Sequence, residues 1–379
     1  MKILNVIMFF EPVTGGGSVE RTFQMSRHLV KAGMECCILT TDIGLTPERE
    51  HSIKEVKIIA LPSLLKRFYV PKLSYGQLKD IIISFDIIHL MNHWTIINAL
   101  VYILARRLNK PYVICPAGSL PIYGRSKLIK KLYNWVIGRR IIHDASGHIA
   151  ISSDEIDQFQ EYGIVSDKVT LIPNGINGDD FSTINDTDYK KKYGLTDAPF
   201  ILFVGRLNSI KGPDLLLQAF CNAKDELQPY HLIFVGPDDG MLAQLRQMAE
   251  MFDISDRVHF LGYLGGEDKS YFYRAAELLV IPSRKEAMSI VVLESGIVGT
   301  PVLLTDQCGF DEVERIGGGM VVPASVDGLK KGLLEILKDP DKLKSIGANL
   351  KKHVIDNYTW ERIINKYIDL YHQVLTNKN

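Results

Sequence analysis

Short apolar runs alternate with longer amphipathic stretches along almost the whole chain. Continuous apolar runs of this kind are typical of parallel strands that are buried on both faces. They predict thirteen strands, at Ile3–Phe9, Cys36–Thr40, Val56–Ala60, Asp86–Leu90, Tyr112–Cys115, His148–Ile151, Val169–Ile172, Phe200–Val204, His231–Val235, Val258–Leu261, Leu278–Ile281, Val302–Thr305 and Met320–Val322. The stretches between them predict helices.

A polar passage without periodicity, GINGDDFSTINDTDYKKKYG, separates seven of these strands from the other six. The pattern therefore predicts an α/β fold of two Rossmann-like, doubly wound parallel-sheet domains that face each other across a cleft. We expect the first domain to comprise residues 1–178 with residues 360–379, and the second to comprise residues 195–358. Residues 179–194 are expected to form the linker. The amphipathic terminal segment is expected to be a helix that packs back on the first domain.

The overall composition excludes several classes of protein. A length of 379 residues suits two domains, and 44 Lys+Arg against 44 Asp+Glu argue against wholesale nucleic-acid binding. The apolar run MKILNVIMFF meets Glu11 and Pro12 where a signal peptide would have small residues, so we expect a buried first strand. Five cysteines without a CxxC pair predict reduced core thiols in a cytoplasmic protein.

Charge is uneven along the first half of the chain. Between Pro62 and His143 there are thirteen lysines and arginines and two acidic residues. Around residues 125–140 the sequence RSKLIKKLYNWVIGRRII places apolar side chains on one helical face with basic residues beside it. This pattern fits a peripheral contact with an anionic membrane. It fits equally well a core-facing helix with snorkelling lysines.

The loop after the strand Phe200–Val204 carries a candidate phosphate site. Arg206 and Lys211 flank the start of a helix in which Pro213 suits the first turn. Two fixed cations at this position can hold a diphosphate and neutralise charge on a leaving group. The alternative is a solvated loop with incidental basic residues.

The loop after Leu278–Ile281 carries two glutamates. Glu286 lies at the mouth of the loop, where its carboxylate can accept hydrogen bonds from sugar hydroxyls, and Glu294 lies inside the helix that follows, suited to a ribose diol. The amides of Ser289–Val291 (Ser289, Ile290 and Val291) are expected to point outward and receive a phosphate. An exposed helical glutamate is the alternative for Glu294, but its neighbours are apolar and a carboxylate among them needs a partner.

Three consecutive glycines, Gly15, Gly16 and Gly17, follow the first strand and allow close approach of a ligand to backbone N–H groups. Their spacing is not the GxGxxG fingerprint of dinucleotide binding. A tight turn without a ligand is the alternative. Asp186-Thr187-Asp188 has the form of a metal-binding DxD motif but lies in the linker rather than at a strand end, so we expect no metal site there.

Taken together, these residues resemble glycosyltransferase family 4, a family of retaining enzymes with the GT-B fold. The resemblance covers nearly the whole chain. It is carried by four motifs in register: Gly15–Gly17, IPNGIN (Ile172–Asn177), FVGRLNSIKG (Phe203–Gly212), and Glu286 with seven residues before Glu294.

The resemblance implies transfer of a sugar from a UDP- or GDP-linked donor to an acceptor glycan by front-face displacement, without a metal or other cofactor. Glu286, Arg206 and Lys211 would be the catalytic residues. Arg206 and Lys211 would hold the donor diphosphate, Glu286 the sugar and Glu294 the ribose. The amides of Ser289–Val291 and of Gly16–Gly17 would complete the donor site.

One position departs from the family pattern. Many members have a His or an Arg at the end of the strand YVICPAGSL, where this chain has Ala117. His89, His93 and Gly118 are the acceptor-side candidates, although a buried structural role is the alternative for each histidine. The PAGSLP sequence also resembles members that build bacterial surface polysaccharides on lipid carriers, which implies a cytoplasmic enzyme on the inner face of the membrane.

Three other functions stay open at this point. Ala117 is compatible with a catalytically weak or inactive transferase-like partner subunit. A nucleotide-sugar epimerase can have the same fold. A nicotinamide-dependent dehydrogenase also has two doubly wound domains, but it would leave Arg206, Lys211 and the two glutamates without a role.

Overall fold

The computed structural model describes residues 1–11, 16–45, 56–122, 126–182 and 189–377. The chain divides into two compact units, one formed by Met1–Gly175 with Trp360–Asn379 and the other by Ile176–Thr359. Each unit is built on one parallel sheet.

Nine strands are described in the first unit. In chain order they are β1 (Lys2–Val6), β2 (Glu35–Thr41), β3 (Lys57–Leu61), β4 (Ser63–Leu65), β5 (Val70–Pro71), β6 (Ile87–Met91), β7 (Tyr112–Cys115), β8 (Gly147–Ala150) and β9 (Val169–Leu171). Strands β4 and β5 pair as an antiparallel hairpin, and the other seven form a sheet in the order β3-β2-β1-β6-β7-β8-β9. The order reverses between β1 and β6, so the loops that follow these two strands leave the same edge side by side, where such sheets bind ligands.

In the described part of the second unit there are six strands, β10 (Phe200–Val204), β11 (His231–Val235), β12 (Val258–Gly262), β13 (Leu278–Ile281), β14 (Val302–Thr305) and β15 (Gly319–Val322). Their order is β12-β11-β10-β13-β14-β15, and every pair is parallel. Here the order reverses between β10 and β13. The loops that carry Lys211 and Glu286 follow these two strands and therefore meet at one edge of the sheet.

Fifteen helices are described. Those of the first unit are α1 (Gly16–Lys31), α2 (Tyr75–Ile83), α3 (Ile96–Arg107), α4 (Lys127–Tyr133), α5 (Arg139–His143), α6 (Ser153–Gln160) and α15 (Trp360–Thr376), and a π-turn, Asn134–Gly138, joins α4 to α5. Those of the second unit are α7 (Tyr189–Lys192), α8 (Pro213–Cys221), α9 (Leu242–Met251), α10 (Gly266–Ala275), α11 (Ile290–Val298), α12 (Glu312–Arg315), α13 (Val326–Ile336) and α14 (Pro340–Asn357). Short 3-10 turns lie at Lys66–Phe68, Ser166–Lys168 and Gly178–Phe181.

The predicted α/β fold class is confirmed, and all thirteen predicted strands are present with ends that differ by no more than three residues. The residues of β1, β6 and β13 are almost all fully buried, as expected for central parallel strands. The hairpin β4–β5 was not predicted, because its sequence is short and its leucines are exposed. All five cysteines are buried free thiols. Burial raises the pKa of Cys115 to about 11.

The terminal helix α15 lies in the first unit and buries its apolar face, including Trp360, Tyr367 and Tyr371. The described residues of the predicted linker, 179–182 and 189–194, belong to the second unit instead. Their aromatic side chains explain the difference, because Phe181 is buried and Tyr189 stacks on Tyr271 with ring centroids 4.4 Å apart. The Asp186-Thr187-Asp188 sequence is outside the described residues.

Across the described ranges, the helices lack the combination of length and apolar character that crossing a bilayer requires.

Candidate active site

The loop after β10 is folded around Asn208. The side-chain Oδ1 of Asn208 accepts hydrogen bonds from the backbone N–H groups of Ile210 (3.1 Å) and Lys211 (3.0 Å), which closes a tight turn. Gly212 follows with φ +67°, and a Cβ at this position would lie 2.1 Å from the carbonyl oxygen of Pro282. The loop therefore packs directly against the end of β13, and only glycine fits at the contact.

A salt bridge fastens the two loops together. The guanidinium of Arg284 donates to both carboxylate oxygens of Asp214, at 2.8 and 2.6 Å, and to the carbonyl oxygen of Ser209 at 2.7 Å. The carboxylate of Asp214 raises the pKa of Arg284. The backbone N–H of Arg284 also donates to the carbonyl oxygen of Ile210 at 2.8 Å. This pair was not predicted, since both residues look like ordinary surface charges in the sequence.

The structure brings Lys211 and Glu286 together. Lys211 Nζ lies 2.9 Å from Glu286 Oε1, and the glutamate side chain is only 9% exposed. The hydroxyl of Ser283 donates a short hydrogen bond to the same carboxylate oxygen, and the backbone N–H of Glu286 donates to the carbonyl oxygen of Gln307 at 2.7 Å. The carboxylate is thus fixed in position next to the cation, and Ser283 is a further residue of the site.

Arg206 lies in the same loop as Lys211, and its side chain is more exposed than that of Lys211. Its Nη1 is 3.6 Å from Asp239 Oδ2, and both side chains are about half exposed. Asn208 Nδ2 donates to the same Asp239 oxygen at 2.8 Å. An exposed pair of this kind contributes little to stability, so Arg206 can exchange its partner for another anion at small cost.

Glu294 has the partner that its apolar surroundings require. It is 7% exposed, and its two carboxylate oxygens accept hydrogen bonds from Lys269 Nζ at 2.7 Å and from the Tyr273 hydroxyl at 2.5 Å. Burial, reinforced by the neighbouring carboxylate, raises the pKa of Tyr273 well above its usual value. Each carboxylate oxygen has a second lone pair, so Glu294 can still accept a hydrogen bond from a ligand hydroxyl. Lys269 and Tyr273 belong to α10 and were not predicted.

The start of α11 differs in one respect from the prediction. The backbone N–H of Ser289 donates to the carbonyl oxygen of Cys308 at 3.3 Å, so it does not point outward. The first-turn amides of Ile290 and Val291, which have no acceptor inside the helix, remain for an anion. The Ser289 hydroxyl is fully buried, makes no capping hydrogen bond and has no partner in the described part of the chain.

Gly16 and Gly17 begin α1 after β1, and both are exposed. Gly16 has φ +60°, a conformation that favours glycine, with open space where a Cβ would lie. Gly15 is outside the described residues.

The two histidines considered for the acceptor side are both buried. His89 Nδ1 lies 2.7 Å from the Tyr371 hydroxyl, and burial, together with the nearby Arg21 charge, lowers the pKa of His89 to about 3. His93 Nε2 donates to Asn134 Oδ1 at 2.9 Å, and burial lowers its pKa to about 4. Both are neutral side chains held by the protein, which fits the structural alternative for each.

The backbone N–H of Gly118 already donates a hydrogen bond within the protein. It donates to Glu155 Oε1 at 2.6 Å, while Glu155 Oε2 accepts from the backbone N–H of Ile151 at 2.9 Å. Glu155 is fully buried, and burial raises its pKa. The adjacent Ala117 has φ +51°, an uncommon conformation for a residue with a side chain. The backbone N–H of Gly118 is therefore not available to a ligand, and the acceptor-side role of Gly118 stays a prediction.

Within the described ranges, no three His, Cys, Asp or Glu side chains are grouped so as to hold a metal ion.

Two family models match the chain. Residues 15–180 match "Glycosyltransferase Family 4" and residues 185–353 match "Glycosyl transferases group 1". An uncharacterized glycosyltransferase of Methanocaldococcus jannaschii is 32% identical over 212 residues, which are 54% of each chain. A D-inositol 3-phosphate glycosyltransferase of Geodermatophilus obscurus is 30% identical over 249 residues, 62% of this chain and 54% of that protein. The chain thus spans about half the length of the curated relatives it matches.

Solved structures show the same fold over the full length. A glycosyltransferase from Rickettsia africae superposes with a TM-score of 0.78 at 20% identity, covering 99% of both chains. Anabaena Alr3699/HepE, solved in complex with UDP-glucose, superposes with a TM-score of 0.79 at 17% identity, covering 99% of this chain and 100% of that one. The predicted GT-B fold is therefore confirmed.

Proposed function

Because the chain belongs to glycosyltransferase family 4, we propose that it transfers a sugar from a nucleoside diphosphate sugar to an acceptor hydroxyl with retention of anomeric configuration. The observation that carries this proposal is the pairing of Lys211 with Glu286 at the edge where the strand order of the second unit reverses. A diphosphate sugar needs a cation for its leaving group and an acceptor for its hydroxyls. These two side chains supply both within one ion pair.

The donor site is proposed to form around this pair. Lys211 and Arg206 would hold the diphosphate together with the amides of Ile290 and Val291 at the start of α11. Glu286 would accept from the sugar hydroxyls, and Glu294, held by Lys269 and Tyr273, would accept from the ribose. The roles predicted for Gly16 and Gly17 stay predictions.

In the proposed reaction the bond from the anomeric carbon to the diphosphate oxygen breaks, and the acceptor oxygen forms its bond on the same face. The acceptor hydroxyl loses its proton, which the departing phosphate oxygen can take. Lys211 and Arg206 would stabilise the negative charge that develops on the diphosphate. With two cations available for this charge, we propose that no metal ion is needed, which equal turnover with and without a chelator would support.

The donor is proposed to be a UDP- or GDP-linked sugar. HepE structures contain UDP and UDP-glucose, so uridine nucleotides are the first to test. The acceptor is proposed to be a glycan on a lipid carrier in surface polysaccharide or other glycoconjugate synthesis, with the enzyme at the inner face of the membrane. The apolar face of α4 supports this, because none of its residues is buried and Leu128 is 81% exposed. Leu132, Trp135 and Val136 are exposed as well, which argues against the core-facing alternative for this face. Arg125 lies outside the described residues.

A screen of nucleotide sugars with mass detection tests the proposal. Release of UDP or GDP with transfer of the sugar to a supplied acceptor, inositol phosphate and lipid-linked glycans among them, is the expected result. Thermal stabilisation by NAD but by neither UDP nor GDP would favour a dehydrogenase. Conversion of the donor sugar to its epimer without an acceptor would favour an epimerase. No turnover of any donor would favour an inactive partner subunit.

A further inference from the structure

A groove of about 360 Å³ lies beside the π-turn of the first unit. It is lined by Ile122, Lys131, Asn134, Trp135, Arg139 and Arg140. The three basic side chains are exposed, and in the described part of the chain none of them forms an ion pair with a carboxylate. The groove therefore concentrates positive charge that the protein itself leaves uncompensated.

The walls of this groove are fixed by partly buried contacts. Asn134 Oδ1 accepts from His93 Nε2 at 2.9 Å, and Asn134 Nδ2 donates to the Tyr162 hydroxyl at 2.8 Å. The guanidinium of Arg139 lies 5.4 Å from the centre of the Tyr162 ring. A Cβ on Gly138 would lie 2.4 Å from Asn134 Oδ1, so the glycine leaves room for this side chain. The π-turn thus presents its basic residues from a defined position, and such turns are frequent at functional sites.

Exposed apolar side chains lie on the same helical segment as the basic residues of the groove. Trp135 is 81% exposed, and Leu132 and Val136 on the same helical segment are also exposed. A free anion gains nothing from such neighbours, whereas an amphiphile with an anionic head gains from both parts of the surface. We propose that the groove binds the phosphate end of a membrane lipid, with Trp135 and the leucines of α4 inserted among the lipid chains.

This inference rests on the proposed function, because a lipid-linked acceptor carries its glycan on such a phosphate. The groove also connects to the loop after β6 through Asn134 and His93. That loop leaves the sheet edge at which the strand order of the first unit reverses. A lipid phosphate held by Lys131, Arg139 and Arg140 would therefore lie close to the part of the first unit where a ligand is expected.

Sedimentation of the full chain with vesicles tests the inference. We expect binding to phosphatidylcholine vesicles only when they contain phosphatidylglycerol or a long-chain isoprenyl diphosphate. The double variant Lys131→Gln/Arg139→Gln should bind roughly tenfold or more weakly. The control Lys31→Gln/Arg107→Gln, which removes the same charge from two exposed residues of α1 and α3, should bind within about twofold of wild type. Equal losses of vesicle binding in the two double variants, or no binding of wild type to vesicles of either anionic composition, would overturn the proposal.

Tryptophan fluorescence provides a second readout. Trp135 is the exposed member of the three tryptophans, while Trp360 is buried. We expect a blue shift of the emission on vesicle binding that is lost in Trp135→Phe. Inorganic phosphate that stabilises the protein as strongly as the lipid does would identify a free-anion site and overturn the lipid assignment.

UDP binding by the groove variant separates the two proposals. If the groove variant still binds UDP but no longer binds vesicles, the groove is assigned to lipid. If the wild-type protein binds vesicles but transfers no sugar, the result argues against the proposed function alone.

Discussion

Lys211 and Glu286 come from different strand-to-helix loops, yet Lys211 Nζ lies 2.9 Å from Glu286 Oε1. The contact follows from the sheet order, because β10 and β13 are neighbours and their loops leave the same edge. The Asp214–Arg284 salt bridge then holds the loops together. An ion pair placed in this way neutralises the lysine while no ligand is bound and can release it to a diphosphate.

Replacement of Lys211 by alanine tests the cation of the pair. We expect kcat/KM for the donor to fall by roughly 30- to 1,000-fold, which corresponds to about 2–4 kcal/mol of lost transition-state stabilisation, with a higher KM and a lower kcat. Steady-state kinetics over a range of donor concentrations measure this. The control Lys338→Ala removes an exposed lysine of the same unit and should leave the kinetics unchanged. An unaltered kcat/KM in Lys211→Ala would exclude Lys211 from the site.

The substitution Glu286→Gln tests the carboxylate while keeping the size of the side chain. We expect kcat to fall by roughly 100-fold, because the charged acceptor for the sugar hydroxyls is lost. Donor hydrolysis and transfer are measured with Glu335→Gln, an exposed glutamate of α13, as the control. Equal rates for wild type and Glu286→Gln would support the inactive-partner alternative.

The glycine at the loop contact gives a closely matched pair of variants. Gly212 and Gly194 have φ values of +67° and +65°, but a Cβ on Gly212 would meet the Pro282 carbonyl oxygen at 2.1 Å, whereas a Cβ on Gly194 would meet no atom within 4 Å. We expect both alanine variants to lose about 1 kcal/mol of stability to backbone strain, and Gly212→Ala to lose more because its Cβ clashes with a backbone oxygen. Only Gly212→Ala should also lose donor affinity, since its Cβ pushes the two loops apart. Urea unfolding and UDP titration measure the two effects, and equal UDP affinity in both variants would show that the loop contact does not matter.

The strands could be predicted because buried parallel strands are continuous apolar runs of local sequence. Strand ends also placed Lys211 and Glu286 in strand-to-helix loops, but the contact between the two loops depends on β10 and β13 being neighbours, which is not a local property. The partners of Glu294 could not be predicted, since Lys269 and Tyr273 lie on α10 and reach the carboxylate only through helix packing. The exposure of the apolar face of α4 could not be predicted from the sequence either. An amphipathic helix has the same pattern whether its apolar face meets a core or faces outward.

Tyr273→Phe tests the buried support of Glu294. The variant removes one hydrogen bond to a buried carboxylate, so we expect the free energy of unfolding to fall by about 1.5–3 kcal/mol. UDP affinity should fall as well, because Glu294 is less firmly positioned. Urea unfolding and calorimetric titration measure the two. The control Tyr263→Phe, at a half-exposed tyrosine of the same unit, should change neither quantity. Wild-type stability in Tyr273→Phe would mean that the hydroxyl does not support the carboxylate.

The buried histidines predict how stability depends on pH. Burial lowers the pKa of His93 to about 4, below the value of about 6.5 expected in the unfolded chain. Below about pH 6.5 the unfolded chain therefore binds a proton that the folded protein does not, and the free energy of unfolding falls as pH falls, by up to about 1.4 kcal/mol per unit, until about pH 4. His93→Gln should have a shallower slope in this window, since it removes that proton. Urea unfolding between about pH 7.5 and pH 4.5 measures the slopes. The exposed His143→Gln should follow the wild-type profile. Parallel curves for His93→Gln and wild type would show that His93 is protonated in the folded protein.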